Sequence, residues 1–356
     1  MEISRLQQQI ITTEEPKVFV SSSAASGKTA TLTERVRFLL ESGIEPSEIV
    51  AITFTNNAAS EMYERLGRPN GLFIGTVHSY CNFLLLSYGI DTRKLLNDEK
   101  FDELFPLIQA HPECIKHVTH LLVDEAQDST QEQFEFFDLI NPDNFMYFFD
   151  LRQSIYGWSG ADPDFLVERM EDPTITIYNM KQNYRNYREI LTFAKKFLFR
   201  LGSAYSDDSI PMRGSSYGCV VEESLTPSEA VALVQKIQGY LKDEWKDWFI
   251  LCRTNADVDL FSHLLSEKDI PNDTFKQADL TSKEIRERME ENTIKVLTVH
   301  SAKGLENKNV LVYNVRAYKD EEARICYVAA TRARDHLIWV KAPAKKKKKT
   351  KIVNWE

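Results

Sequence analysis

The chain has little of what would mark a metal-, disulfide- or membrane-dependent protein. Its five cysteines, Cys81, Cys114, Cys219, Cys252 and Cys326, are widely separated, with no CxxC pair. That argues against a zinc site, an iron–sulfur cluster or a disulfide framework, and for a reducing compartment. No apolar stretch approaches the ~18–20 residues of a membrane helix. The opening MEISRLQQQ lacks the apolar core of a signal peptide. No internal repeat or long linker is present. The expectation is a soluble cytoplasmic protein, bacterial or viral in a host cell, with no membrane partner.

Hydrophobic residues make up 43% of the 356 positions and charged residues 27%, a balance that excludes wholesale disorder. At roughly 100–200 residues per domain, the length predicts two domains. The net charge of −9 is unevenly placed. Seven lysines against Glu356 put +6 on residues 341–356, leaving −15 on the other 340. An acidic body does not advertise nucleic-acid binding, yet a local groove can bind DNA whatever the net charge.

Short apolar runs alternate with amphipathic stretches. Residues 17–21, 49–53, 120–124 and 145–150 read as strands in the first half, and 247–252, 293–299 and 310–315 in the second. Helices are expected around Leu32, Val36, Leu39 and Leu40, and over 57–66, 255–268 and 321–334. This alternation predicts an α/β fold with mostly parallel sheets and ligands at the carboxyl ends of strands. The expected divisions are a first domain over 1–180 and a second over 181–341. A small helical insertion is expected at 79–118, and a Lys-rich tail over 342–356. Residues 202–218, rich in Ser, Gly and Asp, read as a surface excursion.

Ser22-Ser-Ala-Ala-Ser-Gly-Lys-Thr29 falls between the first strand and the first helix after it. A phosphate-binding loop must lie there for backbone N–H groups and a helix N-terminus to hold phosphates. Ser26 and Gly27 would line it, Lys28 would neutralise phosphate charge, and Thr29 would offer its hydroxyl to Mg²⁺. A plain strand–turn–helix is the simpler alternative. Leu121-Leu-Val-Asp-Glu-Ala-Gln-Asp128 is an apolar strand ending in carboxylates. It suits Mg²⁺ positioning by Asp124 and water activation by Glu125, against the alternative of helix caps. Together the two segments point to an NTPase that uses ATP and Mg²⁺.

Further motifs resemble, in order, those of the UvrD/Rep-like branch of superfamily 1 DNA helicases. Ile3-Ser-Arg-Leu-Gln7 is similar to the adenine-reading Q motif, Ala51 to Asn56 to motif Ia, and Gly75 to His78 to motif Ib. Asp124 to Asp128 resembles motif II, Asp150 to Trp158 motif III, and Gln182-Asn-Tyr-Arg185 motif IV. Thr298 to Glu306 resembles motif V and Tyr327 to Ala333 motif VI. The resemblance implies two RecA-like domains and an ATP-dependent translocase or helicase moving 3′→5′ on single-stranded DNA or at single-strand/duplex junctions. Gln7 and Tyr184 would then contact adenine, and Glu306 the ribose. Gln153 would sense the γ-phosphate, and Arg185 and Arg332 would reach across the cleft as arginine fingers. Phe54, Tyr156 and Trp158 would stack bases, while Thr55, Asn56, His78, Thr298 and His300 would touch phosphates or sugars. Trp158 as a core residue, both histidines as core residues and both arginines as solvated surface remain the plainer alternatives.

Several positions depart from the family pattern. Ser23 and Ala25 stand where relatives usually carry glycine, and alanine is tolerable there if φ stays negative. Ala30, Phe149 and Ser159 replace other common residues. Hydrolysis is expected to survive at a reduced rate. Only 49 residues separate Gly75 from Asp124, and 118 separate Arg185 from Lys303. Larger relatives carry inserted domains at both places, so a stripped core that translocates better than it unwinds is expected. The rival reading is a DNA-stimulated ATPase subunit that regulates or senses within a nuclease or DNA-repair complex.

Overall fold

The structure, a computed structural model, describes residues 3–276 and 280–343. The lysine run at 345–349 lies outside them. Two six-stranded sheets dominate. The first holds β1 (Lys17–Ser22), β2 (Ile49–Ile52), β3 (Phe73–Gly75), β4 (His120–Val123), β5 (Asn144–Phe149) and β6 (Thr176–Met180). Its order is β3-β2-β4-β5-β1-β6, and every neighbouring pair is parallel. Around it lie α1 (Arg5–Thr12), α2 (Lys28–Glu41), α3 (Asn56–Arg65), α4 (Val77–Ser87), α5 (Arg93–Asn97), α6 (Leu104–Ala110), α7 (Gln131–Ile140) and α8 (Asp164–Arg169).

A short pair, β7 (Gln182–Asn183) and β8 (Ile210–Pro211), flanks α9 (Arg188–Leu198). The second sheet holds β9 (Val220–Ser224), β10 (Trp248–Cys252), β11 (Asn272–Asp273), β12 (Ile294–Thr298), β13 (Asn307–Tyr313) and β14 (Ala333–Lys341). Its order is β11-β12-β10-β13-β14-β9, again parallel throughout. Its helices are α10 (Pro227–Leu241), α11 (Asn255–Ser266), α12 (Ser282–Glu290) and α13 (Asp320–Thr331). The chain thus forms two α/β lobes, each built on one parallel sheet, as expected of a RecA-like pair.

The strands read as continuous apolar runs because helices cover both faces. In β1, Phe19 enters one core with Leu121 and Tyr147, while Val18 and Val20 enter another with Leu32 and Val36. In β10, Phe249 and Leu251 face Val328 and Trp339, while Trp248 and Ile250 face Phe261 and Val231. The helical segment at 79–118 is no free appendage. Tyr80, Leu84, Leu104, Phe105 and Ile108 all enter the first-lobe core.

One local reading differs from the structure. The helix expected to reach Arg334 stops at Thr331, and residues 333–341 form the nine-residue β14 between β13 and β9. The expected surface excursion at 202–218 is exposed or half-buried at every residue but Ser209, and it also contains β8 and the fully buried side chain of Asp207. Among the described residues, no helix is long and apolar enough to cross a membrane.

Candidate nucleotide and nucleic-acid site

The loop after β1 delivers Gly27 to the N-cap of α2 at φ 87°, with no side chain capping the helix. The first amides of α2 are therefore turned toward whatever anion the loop holds. The positive φ strains any other residue at Gly27, and a β-carbon there would also displace Gln7 Nε2, 2.9 Å away. Ser26 Oγ is buried with no hydrogen-bond partner among the described residues. Ala25 does not meet the condition of a negative φ: it stands at 56°, in the left-handed region that disfavours a β-carbon.

Lys28 is the first residue of α2, 8% exposed, and its Nζ lies 3.5 Å from Glu125 Oε1. Thr29 donates its hydroxyl to Asp124 Oδ2 at 2.7 Å. Burial and the neighbouring Glu125 charge push the Asp124 carboxyl up. Burial works against Glu125 ionisation too, but Lys28 and Lys303 outweigh it and hold this carboxyl below its usual range. Of the two carboxyls, Glu125 is therefore the one that ionises more readily. Glu125 also sits at φ 54°, an unusual backbone for glutamate. Gln127 steadies it, donating from Nε2 to Glu125 Oε2 at 2.5 Å and accepting from the Asp150 N–H at 2.9 Å.

These residues fit a nucleotide with a hard cation. The uncapped helix and the orphaned Ser26 hydroxyl suit phosphate, and the Thr29 and Asp124 oxygens are donors of the type Mg²⁺ prefers.

The opposite wall comes from the second lobe. Arg332 is 1% exposed and donates to Gln153 Oε1 at 3.1 Å, and to the carbonyls of Leu305 and Val328 at 3.1 Å each. Arg185 behaves differently, pairing with Glu306 and donating to the Thr331 carbonyl at 3.3 Å within its own lobe. Glu306 and Arg185 therefore hold each other. Tyr184 is 43% exposed, and its N–H donates to the Ala25 carbonyl at 3.3 Å, beside the phosphate loop. Gln7 is buried and internally engaged. It closes the capping box of α1 with Ser4 and donates to Thr31 Oγ1 at 3.0 Å.

The aromatic candidates gather on the surface above the cleft. Phe54 stacks on Tyr156 with centroids 4.8 Å apart, and Trp158 (73% exposed) meets Tyr156 edge-on at 6.2 Å. His300 lies 6.0 Å from the same ring. Thr55 and Thr298 serve locally, Thr55 capping α3 and Thr298 bonding Ser301. Asn56 is exposed beside them at the start of α3. His78 stands apart from this cluster, against Phe101 and Phe105 at 5.8 and 5.3 Å. Burial lowers the pKa of both histidines, which favours their neutral forms.

Sequence reasoning overlooked Lys303. Its ammonium pairs with Asp128, donates to the Gln153 carbonyl at 2.8 Å and lies 4.8 Å from the Tyr156 ring centroid. It thus touches motif II, motif III and the aromatic surface at once. Its place inside motif V was the available signal.

Comparison with known proteins agrees with this geometry. The model of the UvrD/REP helicase N-terminal domain matches residues 3–111 and 107–174. That of the UvrD-like helicase C-terminal domain matches residues 178–289 and 272–343. A probable DNA helicase of Mycoplasma pneumoniae is 24% identical over 95% of this chain and 83% of its own length. The ATP-dependent DNA helicase Rep of Escherichia coli is 26% identical over 76% of this chain and 55% of its own. The ATP-dependent DNA helicase PcrA of Staphylococcus aureus is 24% identical over 74% and 50%. The chain thus spans about half the length of the latter two. With both domain models matched in order across nearly all described residues, the chain belongs to the UvrD/Rep helicase family.

Proposed function

We propose that this protein is an ATP-dependent DNA helicase or translocase that moves 3′→5′ on single-stranded DNA. The observation that carries the reading is the seam between the lobes. Arg332 of one lobe meets Gln153 of the other within electrostatic reach of Glu125, and Lys303 joins that seam to the Tyr156 and Phe54 rings. ATP with Mg²⁺ would supply the phosphoanhydride whose cleavage drives the lobes. Lys28 would face its phosphates, Thr29 and Asp124 would hold the cation, and ionised Glu125 would accept a proton from water. Tyr184 would stack on the base, and Arg185 would leave its pairing with Glu306 to face phosphate, freeing Glu306 for the ribose. Gln7 would exchange its bond to Thr31 for an adenine edge. Phe54, Tyr156 and Trp158 would stack bases without regard to sequence. Asn56, Thr55, Thr298, His300 and His78 would supply backbone contacts.

Two assays test the reading. Single-stranded DNA should stimulate ATP hydrolysis, and a duplex with a 3′ single-stranded tail should be opened or tracked in preference to one with a 5′ tail. ATP hydrolysis indifferent to DNA would refute it.

A further inference from the structure

We propose that residues 205–208 form a strap bolting the two lobes together, with Asp207 as its pin and a positioning residue for the cross-lobe Arg332–Gln153 contact. The inference rests on the functional reading above but extends it to a segment no helicase motif covers. Four consecutive residues in the 202–218 stretch each hold something outside it. Tyr205 donates its hydroxyl to Asp164 Oδ1 of the first lobe at 2.9 Å. The Ser206 carbonyl accepts from Arg152 Nη1 at 3.3 Å. Asp208 pairs with Lys181 at 2.5 Å.

Asp207 does the most. Its side chain is fully buried and its two oxygens are divided between the lobes. Oδ1 accepts from Arg152 Nη1 at 3.3 Å and from the Ser209 N–H at 2.9 Å. Oδ2 accepts the Tyr327 hydroxyl at 3.0 Å. Arg152 immediately precedes Gln153, and Tyr327 lies on α13, which leads directly into Arg332. One carboxylate therefore touches the neighbours of both partners in the catalytic contact.

Chemistry favours a positioning role over simple stabilisation. A buried ion pair recovers its desolvation cost only when its polar atoms are well satisfied, so its presence is weak evidence for a stabilising role and leaves a geometric one. Arg152 is satisfied on several sides, by Asp150 Oδ1 and by the Ser22 carbonyl as well as by the strap. Arg324 adds a second fastening, donating to the Ser154 carbonyl at 2.6 Å while its guanidinium lies 5.3 Å from the Tyr205 ring centroid. With Asp207 in place, the rotational setting of α13 against motif III is fixed, and so is the reach of Arg332 to Gln153.

The test uses the full chain and two variants, Asp207→Asn and the milder Tyr327→Phe. DNA-stimulated kcat should fall about tenfold in Asp207→Asn while KM for ATP stays within about twofold, as expected when a contact acts on the transition state. The double variant should be little worse than Asp207→Asn alone, because both changes break one network. A second readout needs no turnover. Spin labels at Glu132→Cys and Gln235→Cys, exposed positions on opposite lobes, report the interlobe distance, and all five native cysteines are buried. The distance distribution should broaden in both strap variants. Unchanged kcat with an unchanged distribution would overturn the proposal, as would a rise in KM with kcat intact. If the unmutated protein hydrolyses no ATP with DNA present, the functional reading fails, while the distances still decide the strap.

Discussion

Arg332 of the second lobe and Gln153 of the first are joined by a single buried hydrogen bond of 3.1 Å. Burial lowers the Arg332 pKa, and nearby Arg185 lowers it further. Fixed by Gln153 and by the carbonyls of Leu305 and Val328, the guanidinium faces the first lobe, where it could meet negative charge as it develops. Arg332→Ala should therefore lower kcat by ~10³-fold or more with a much smaller change in ATP affinity. Steady-state kinetics with nucleotide-binding titrations check this. Lost binding with kcat intact would make Arg332 a ground-state contact.

Much of this arrangement was legible in the sequence, for identifiable reasons. β1, β4 and β5 are covered on both faces, so their apolar runs stand out, and each ends beside a residue of the proposed site. β14 was missed because Arg332, Arg334 and Asp335 interrupt the pattern just where the chain leaves α13. β9 is an edge strand with three exposed residues, which leaves no period to read. Asp207 carried no signal, because a polar stretch reads as surface until something charged is found beneath it. Lys303 lay within a motif, but its partners Asp128 and Gln153 lie 175 and 150 residues away.

Lys28 has its ammonium 3.5 Å from Glu125 and stands at the head of an uncapped helix, far from the exposed aromatics in role. Lys28→Ala should abolish hydrolysis and leave nucleotide-free DNA binding largely intact. Turnover above a few per cent of the unmutated rate, at matched DNA occupancy, would refute the phosphate-loop assignment.

Ala25 holds φ 56° inside the phosphate loop. A left-handed residue with a β-carbon costs ~1–2 kcal/mol, and glycine gives back part of that through its freer unfolded chain. Ala25→Gly should leave the protein more stable by up to ~1 kcal/mol in urea unfolding, with hydrolysis at least as fast. A destabilised variant would mean the loop exploits the β-carbon.

Trp158 is 73% exposed and touches Tyr156 only edge-on, so the core does not depend on it. Trp158→Ala should weaken single-stranded DNA binding by ~1–3 kcal/mol for all sequences alike. Its melting temperature should not move. Fluorescence anisotropy with several oligonucleotides distinguishes a stacking platform, which loses affinity uniformly, from a base reader, which does not.

Asp128 supplies a pH dependence whose sign can be worked out. Burial pushes its carboxyl from an ordinary value of 3.8 up to about 7, with Lys303 opposing and Glu125 adding to the rise. Between pH 4 and 7 the folded protein keeps this proton while the unfolded chain has released it. The stability contributed by this group therefore falls as pH rises through that window and levels off above about 7. The Lys303 pair follows the opposite course, becoming a charged bond only above about 7. Asp128→Asn carries no titrating group, so the fall in stability that Asp128 contributes between pH 4 and 7 should be absent from the variant. Its DNA-stimulated hydrolysis at pH 8 should fall, because the cross-lobe charge is gone. Thermal melts across pH 4 to 8 on both proteins measure the difference, and parallel curves would show that Asp128 titrates normally.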